Sequence, residues 1–264
     1  MHRFDPNTPA IARVYDYFLG GKDNFAADRE LAERLIATWP GILVLATQNK
    51  AFTDRAVTWV AGQGISQFID MGCGLPTVPS THGSARAVVP DARVAYVDND
   101  PIVVSHLNGL PTREQAGLTV VDGDARDTDR ILDAVAAGID LSAPACLIMA
   151  AFLHFFPVET GQDLVARYTA RLAPGSYVIF TVGLAHGAPA QRFTSAYNQG
   201  PTRIYAHSQA EFASFFDSMD LVPPGIGFAR TWRPGWAATT LPPPQDGEVL
   251  VGVARVTDRP PAAE

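Results

Sequence analysis

Three sets of residues in this 264-residue chain are of the types, and at the spacing, that can hold a nucleoside. The first is Gly72-Cys73-Gly74, which follows the short apolar run Phe68-Ile69 and offers backbone that a ligand can approach without meeting a Cβ. The second is Asp98, 26 residues beyond Gly72 at the end of the run Arg93 to Val97, where a carboxylate can accept hydrogen bonds from both hydroxyls of a ribose. The third is Asp124 in Gly123-Asp124-Ala125-Arg126, an acid suited to accept from an adenine amino group. Asn99, Ala125 and Ala150 stand at the same strand ends and join these as cofactor-binding candidates. Each signal has a plainer alternative: the glycines form an ordinary tight turn, and the two aspartates cap the helices that follow them. Cys73 reads as a small loop residue that presents its backbone to the ligand, not as a reactive thiol.

The residues after the glycines separate two cofactor classes. A dinucleotide site uses G-x-G-x-x-G, with the following helix opening directly onto a pyrophosphate. Here the third glycine position is Thr77, between Pro76 and Pro79, and the prolines delay the helix and remove amide donors. S-adenosylmethionine has no pyrophosphate, so it tolerates that loss and is the expected cofactor, with S-adenosylhomocysteine as its product. A nicotinamide-dependent oxidoreductase is the disfavoured alternative.

The elements that must position these residues follow from periodicity. Pro9 to Leu19 predicts an amphipathic helix stopped by Gly20-Gly21; Asp23 and Asn24 are suitable caps for a second helix ending before Pro40; and Asn49 to Ala61 predicts a third. From Gln67 onward short apolar runs alternate with helical segments: strands at Phe68 to Asp70, Arg93 to Val97, Leu118 to Val121, Ala145 to Ala150 and Ser176 to Val182. The intervening helices span Ser80 to Val89, Pro101 to Leu107, Asp129 to Ala137 and Glu159 to Leu172. That alternation predicts an α/β, doubly wound and mostly parallel sheet. After a polar stretch from His186 to His207 come a helix at Gln209 to Met219, a weak strand near Leu221 and a strong one at Glu248 to Arg255. No crossover helix separates the last two, so the final strand enters antiparallel. The expected organisation is an N-terminal helical lid over residues 1–64, a Rossmann-like cofactor-binding unit over 65–257 and a tail over 258–264, in one compact domain.

Composition excludes other classes. With 47% apolar and 18% charged residues the chain can bury a large core and is not a disordered protein. The longest nearly apolar stretch, Ala145 to Phe156, is too short to span a bilayer. Met1 to Ala10 lacks a secretory pattern, so a cytoplasmic location is expected. Two cysteines exclude a disulfide framework, and six scattered histidines show no metal-ligand spacing. A net charge of -7 argues against nucleic acid as a partner. Oligomeric state is not legible in the sequence.

The run Ala12-Arg13-Val14-Tyr15-Asp16-Tyr17-Phe18-Leu19-Gly20-Gly21-Lys22-Asp23-Asn24-Phe25 is joined by Gln67 to Thr77 and by Tyr96-Val97-Asp98-Asn99-Asp100-Pro101. Together they resemble the bacterial S-adenosylmethionine-dependent methyltransferase family known as domain of unknown function 574. The similarity continues through Leu153-His154-Phe155, Leu172 to Tyr177 and Trp232-Arg233-Pro234, covering nearly the whole chain. It implies the class I methyltransferase fold, with a seven-stranded sheet whose last strand is antiparallel, and assigns the cofactor to Gly72, Gly74, Asp98 and Asp124. The chain departs from the family pattern after Pro76-Thr77, where Ser80, Thr81-His82 and Gly83 stand in place of an asparagine and a His-Glu pair.

The expected function is therefore methyl transfer to a small-molecule acceptor. A cofactor-binding sensor or partner protein without catalysis is the alternative from another class. His154, just beyond the fourth strand, is the candidate general base, and packing among Phe152, Phe155 and Phe156 is its competing role. Around Gly20-Gly21, Tyr17, Lys22 and Asn24 are candidates to reach the cofactor, and Tyr15 and Arg55 to reach the acceptor. The segments His186 to His207 and Gly225 to Trp236 bring Phe193, Tyr197, Arg203, Tyr205, Trp232 and Trp236, of which Tyr197 and Arg203 are the expected acceptor contacts.

Overall fold

The computed structural model describes residues 5–185, 187–200, 202–233 and 247–257. Of the residues singled out above, His186, Pro234, Trp236 and the 258–264 tail lie outside them.

Three helices come first: α1 (Ile11–Phe18), α2 (Ala26–Thr38) and α3 (Gly41–Gly62). A βα alternation follows, with β1 (Gln67–Met71), α4 (Thr81–Arg86), β2 (Arg93–Asp98), α5 (Pro101–Asn108), α6 (Thr112–Gln115), β3 (Leu118–Asp122), α7 (Thr128–Val135), β4 (Cys146–Ala150), α8 (Val158–Thr169) and β5 (Tyr177–Ala185). The chain ends with α9 (Gly187–Tyr197), α10 (Gln209–Ser214), β6 (Met219–Leu221), β7 (Gly227–Phe228) and β8 (Gly247–Val256).

The strands form one sheet in the order β3-β2-β1-β4-β5-β8-β6. Strands β1 to β5 pair in parallel, and β8 enters antiparallel between β5 and β6, as expected from the missing crossover helix. The sheet has eight strands, not seven, because the two-residue β7 adds to β8 off the main path. Every residue of β1 is buried, and β4 is buried up to Ala150, as strands covered on both faces must be. Alternate residues divide between two cores: Phe68, Val94, Cys146, Ile148 and Ile179 face α3, whereas Ile69, Ala95, Leu147, Met149 and Phe180 face α7, α8 and α10.

The N-terminal helices differ from expectation in two respects. Helix α3 begins at Gly41, two turns before Asn49, because Ile42 and Leu45 extend its buried face; that face packs Phe52, Ala56 and Val60 on the sheet. Thus α3 is a layer of the core, and α1 and α2 are what lies beyond it. The cap of α2 is Phe25, not Asp23 or Asn24, and Asp28 folds back to accept from the Phe25 N–H at 2.8 Å. Asp28 is fully buried and also accepts from Ala10 N and from Arg13 Nε. Arg13 reaches on to Asp100 at 3.4 Å, tying the N-terminal helices to the start of α5. The polar stretch after β5 contains α9, whose start was masked by its mixed composition.

Candidate functional site

A cavity of about 1430 Å³ opens at the carboxyl ends of β1 to β4, under α1, α3, α9 and the strap 202–207. Open α/β sheets place ligands at such strand ends. Gly72, Cys73, Gly74, Asp98, Asn99, Asp124, Ala125 and Ala150 all line it.

The turn after β1 is built around the end of β2. Gly72 N donates to Val97 O at 2.8 Å, and Gly74 N donates to Asp98 Oδ2 at 2.9 Å. Both glycines sit at positive φ, +63° and +65°. They serve different purposes: a Cβ on Gly72 would collide with the Phe152 ring, whereas a Cβ on Gly74 meets no protein atom within 4 Å and would occupy ligand space. Asp98 Oδ1 accepts from Asp100 N at 2.9 Å. Each Asp98 oxygen thus takes one backbone N–H, and a carboxylate with roughly four lone-pair sites keeps capacity for two ribose hydroxyls. Burial raises the Asp98 carboxyl above its usual range. It also pushes the Cys73 thiol well up, leaving it protonated and inert.

The delayed helix is as the prolines demand. Helix α4 starts at Thr81, and its first amides are taken, His82 N by Tyr96 Oη at 3.0 Å and Gly83 N by Ser80 Oγ at 3.1 Å. No row of free amides faces the turn for a pyrophosphate among these first-turn residues. Thr81 instead donates to Asp70 Oδ2 at 2.6 Å. Burial pushes Asp70 up to about 6, with Thr81 and Lys50 opposing the shift. Asp70, Thr81, Lys50 and Asp54 make a polar corner of the cavity, in which Lys50 pairs with Asp54 and donates to Pro79 O at 2.6 Å. At the opposite edge, Asp124 is held by Arg126, whose Nε lies 2.9 Å from its Oδ1.

Not every candidate reaches the cavity. Tyr15 and Tyr197 line it, as do Phe193 and Tyr205. Tyr17 and Asn24 do not: the Tyr17 hydroxyl bonds Glu33, and Asn24 Nδ2 donates to Asp16 Oδ2 at 2.8 Å. Asp16 is the residue that organises this motif, since it is buried, lines the cavity and packs where any side chain on Gly21 would clash. Arg55 turns away on α3 to bond Ala51 O and Ala229 O. Arg203 is exposed, whereas its neighbours Thr202 and Ile204 line the cavity. Trp232 is buried edge-on against Phe52 and Trp59, so the described part of Gly225 to Trp236 covers α3 and not the cavity. Lys22 also lies off the wall.

His154 lines the cavity with its ring against Phe155, centroids 4.4 Å apart. Burial, then the neighbouring His207, pushes it down to about 4, so it is neutral at physiological pH and a weak base. The ring thus packs on Phe155 and also lines the cavity.

The residues missed by sequence reasoning are Asn49, Lys50 and Asp54 on α3, with Asp70 and Thr81 opposite. A signal was present: Lys50 is one of only two lysines, and Asp70 stands immediately before Met71-Gly72.

The comparisons agree with this geometry. The family model described as S-adenosyl methyltransferase matches residues 1–257. A DUF574 family protein of Streptomyces avermitilis superposes with a TM-score of 0.91 at 34% identity, covering 96% of this chain and all (100%) of that one. A Thermobifida fusca protein assigned as a methyltransferase gives 0.87 at 38% identity, covering 95% and 96%. The carboxy-S-adenosyl-L-methionine synthase of Geobacter metallireducens is 23% identical over 202 residues, 74% of this chain and 78% of that protein. S-adenosylmethionine is thus the cofactor, and the chain belongs to the S-adenosyl methyltransferase family.

Proposed function

We propose that the protein is a methyltransferase acting on a small molecule, with cofactor and acceptor bound in the one cavity. The observation that carries this reading is the cavity itself. About 1430 Å³ exceeds the roughly 300–1,000 Å³ of a site for one drug-sized ligand, and its lining changes from charged at the β1 end to aromatic under α9. When bound, S-adenosylmethionine supplies an electrophilic sulfonium methyl group.

The chain's own residues bind, orient and exclude water. Asp98 accepts the ribose hydroxyls, and Gly74 leaves space beside them. Asp124 and Ala125 bound the adenine end, where Arg126 holds Asp124 through its backbone N–H and its guanidinium. Asp70 and Lys50 match the ammonium and carboxylate of the methionine end in charge. The aromatic walls keep the acceptor dry and in near-attack geometry, which is the main requirement of this transfer. For an acceptor that gives up a proton, neutral His154 on the wall takes it.

Thermal unfolding with S-adenosylmethionine, S-adenosylhomocysteine and NAD(H) in parallel tests the reading, because a ligand of the folded state raises stability. Stabilisation by the first two, reduced in Asp98→Asn, is expected. Stabilisation by NAD(H) alone overturns it.

A further inference from the structure

We propose that the apolar end of the cavity accepts an uncharged aromatic molecule and holds an oxygen of that molecule with Tyr15 Oη and Asn49 Nδ2. This rests on the methyltransferase reading and names the acceptor class for it.

The cavity face of α3 is a ruler between the two ends. Ile42, Leu45, Asn49 and Asp54 all line the cavity, and at 1.5 Å per residue the first and last are about 18 Å apart. Along this face of α3 charge is confined to the far end, at Lys50 and Asp54 beside Asp70. Around Ile42 and Leu45 the walls are Trp39, Phe193 and Tyr197, with Trp39 edge-on to Phe193 at 5.5 Å and Phe193 tilted on Tyr197 at 5.8 Å. Gly247 gives Trp39 its room, since a Cβ there would strike the indole. Aromatic walls arranged edge-on suit a planar apolar guest.

An anion finds no partner on these walls. The lysine and arginine side chains among the described lining residues are Arg13 and Arg126, each paired with a carboxylate, and Lys50, which stands with Asp54 and Asp70 at the charged end. Burying an ionised group without a counter-charge is costly. Asp16 on α1 also lines the cavity, and its Oδ2 already accepts from Asn24 Nδ2 and Asp23 N.

Besides Gln191, Thr194 and Ser195 of α9, one hydrogen-bonded group interrupts the apolar wall with donors of fixed direction. Thr181 lies on the α3-facing side of β5 and its Oγ1 accepts from Ala151 N at 2.7 Å. Its own hydrogen therefore goes to Asn49 Oδ1, 2.5 Å away, which turns the Asn49 amide nitrogen toward Tyr15, at 2.9 Å from Oη. Tyr15 accepts that bond, so its hydrogen points elsewhere, and its partner in the protein is Ala46 O at a long 3.3 Å. A ligand oxygen in the chamber offers a better acceptor, and the second Asn49 Nδ2 hydrogen has no acceptor among the described residues. Tyr15 remains a neutral phenol, because burial pushes it up to about 12. The site thus presents donors to a carbonyl, phenol or ether oxygen. Ala151, which starts the chain of bonds, is held at φ +51°, a conformation rare for alanine that Thr181 stabilises at the end of β4.

The test uses the full chain saturated with S-adenosylhomocysteine and titrates 2-naphthol, 2-naphthoate and 2-naphthylmethylammonium, which share one ring system and differ in charge. The expected result is that the naphthol binds at least tenfold tighter than either ion, that Tyr15→Phe weakens it about fivefold, and that Leu45→Arg moves the preference to the naphthoate. Equal or tighter binding of an ion, no binding of the naphthol, or no effect of Tyr15→Phe overturns the proposal. S-adenosylhomocysteine affinity, measured first on each protein, separates the two readings. Its absence from the unmodified chain overturns the methyltransferase reading and this one with it; its presence with no naphthol binding overturns this one alone.

Discussion

Replacing Asp70 by asparagine should stabilise the ligand-free protein while weakening its hold on the cofactor. Asp70 is 7% exposed at the end of β1, and burial raises it from 3.8 to about 6. At 1.36 kcal/mol per pH unit that difference corresponds to about 3 kcal/mol. The sign follows from proton counting. Between about pH 4 and 6 the folded chain keeps a proton that the unfolded chain has lost, so this group's contribution falls as pH rises through that window. Above pH 6 the full cost of the buried charge is present. Asparagine retains an acceptor for Thr81 and carries no charge, so Asp70→Asn should exceed the parent by about 2–3 kcal/mol at pH 8 and by little at pH 4. The assay is urea unfolding of both ligand-free proteins at the two pH values. His154 titrates in the opposite sense, since its folded value of about 4 costs stability as pH falls below 6.5. It does so equally in both proteins and cancels in the comparison. A variant no more stable than the parent at pH 8, or equally stabilised at pH 4, would refute the assignment of a buried, strained charge. On the proposed reading the same substitution should lower S-adenosylhomocysteine affinity at pH 8, because it removes the carboxylate proposed to match the ligand's ammonium.

The two turn glycines should separate in their effects. Gly74→Ala costs only the roughly 1–2 kcal/mol of a left-handed alanine but abolishes stabilisation by S-adenosylhomocysteine, whereas Gly72→Ala also displaces Phe152 and lowers stability further; equal losses in both assays would contradict the division. Arg13→Leu should cost about 3–5 kcal/mol, because Asp28 is left fully buried without its cation; a loss below about 1 kcal/mol in chemical unfolding would show the pair to be dispensable. With an acceptor in hand, His154→Gln should lower kcat at least tenfold at unchanged KM for the cofactor, and the parent's rate should show no titration of His154 between pH 6 and 8. An unchanged kcat would reduce His154 to packing.

The βα alternation, the glycine turn, Asp98 and Asp124 were legible because each depends on local order: apolar runs of strand length, breakers between them, and acids at strand ends. The prolines after Gly74 are equally local, and the blocked amides of α4 follow from them. The antiparallel entry of β8 was legible from a missing crossover helix. What failed was orientation around helix axes. Tyr17 and Asn24 are as close to the motif as Asp16, but α1 turns Asp16 inward and Tyr17 out to Glu33, while Asn24, in the loop before α2, spends its amide on Asp16. Arg55 and Asn49 share α3, and only the packing of Phe52 and Ala56 on the sheet decides that Asn49 faces the cavity. Extending α3 back to Gly41 needed the partner surface that buries Ile42 and Leu45, which propensity alone does not supply.

Sequence by itself thus determined the fold class, the cofactor and the strand-end residues that line the cavity, because backbone geometry ties those residues to their position in the chain. Tertiary structure alone decided the aromatic end of the cavity. Trp39, Asn49, Thr181 and Phe193 are scattered along the chain and share no motif. They meet only because α3 lies across β5 and α9 packs on α2, and a hydrogen-bond chain from Ala151 to Tyr15 exists only once that packing is complete.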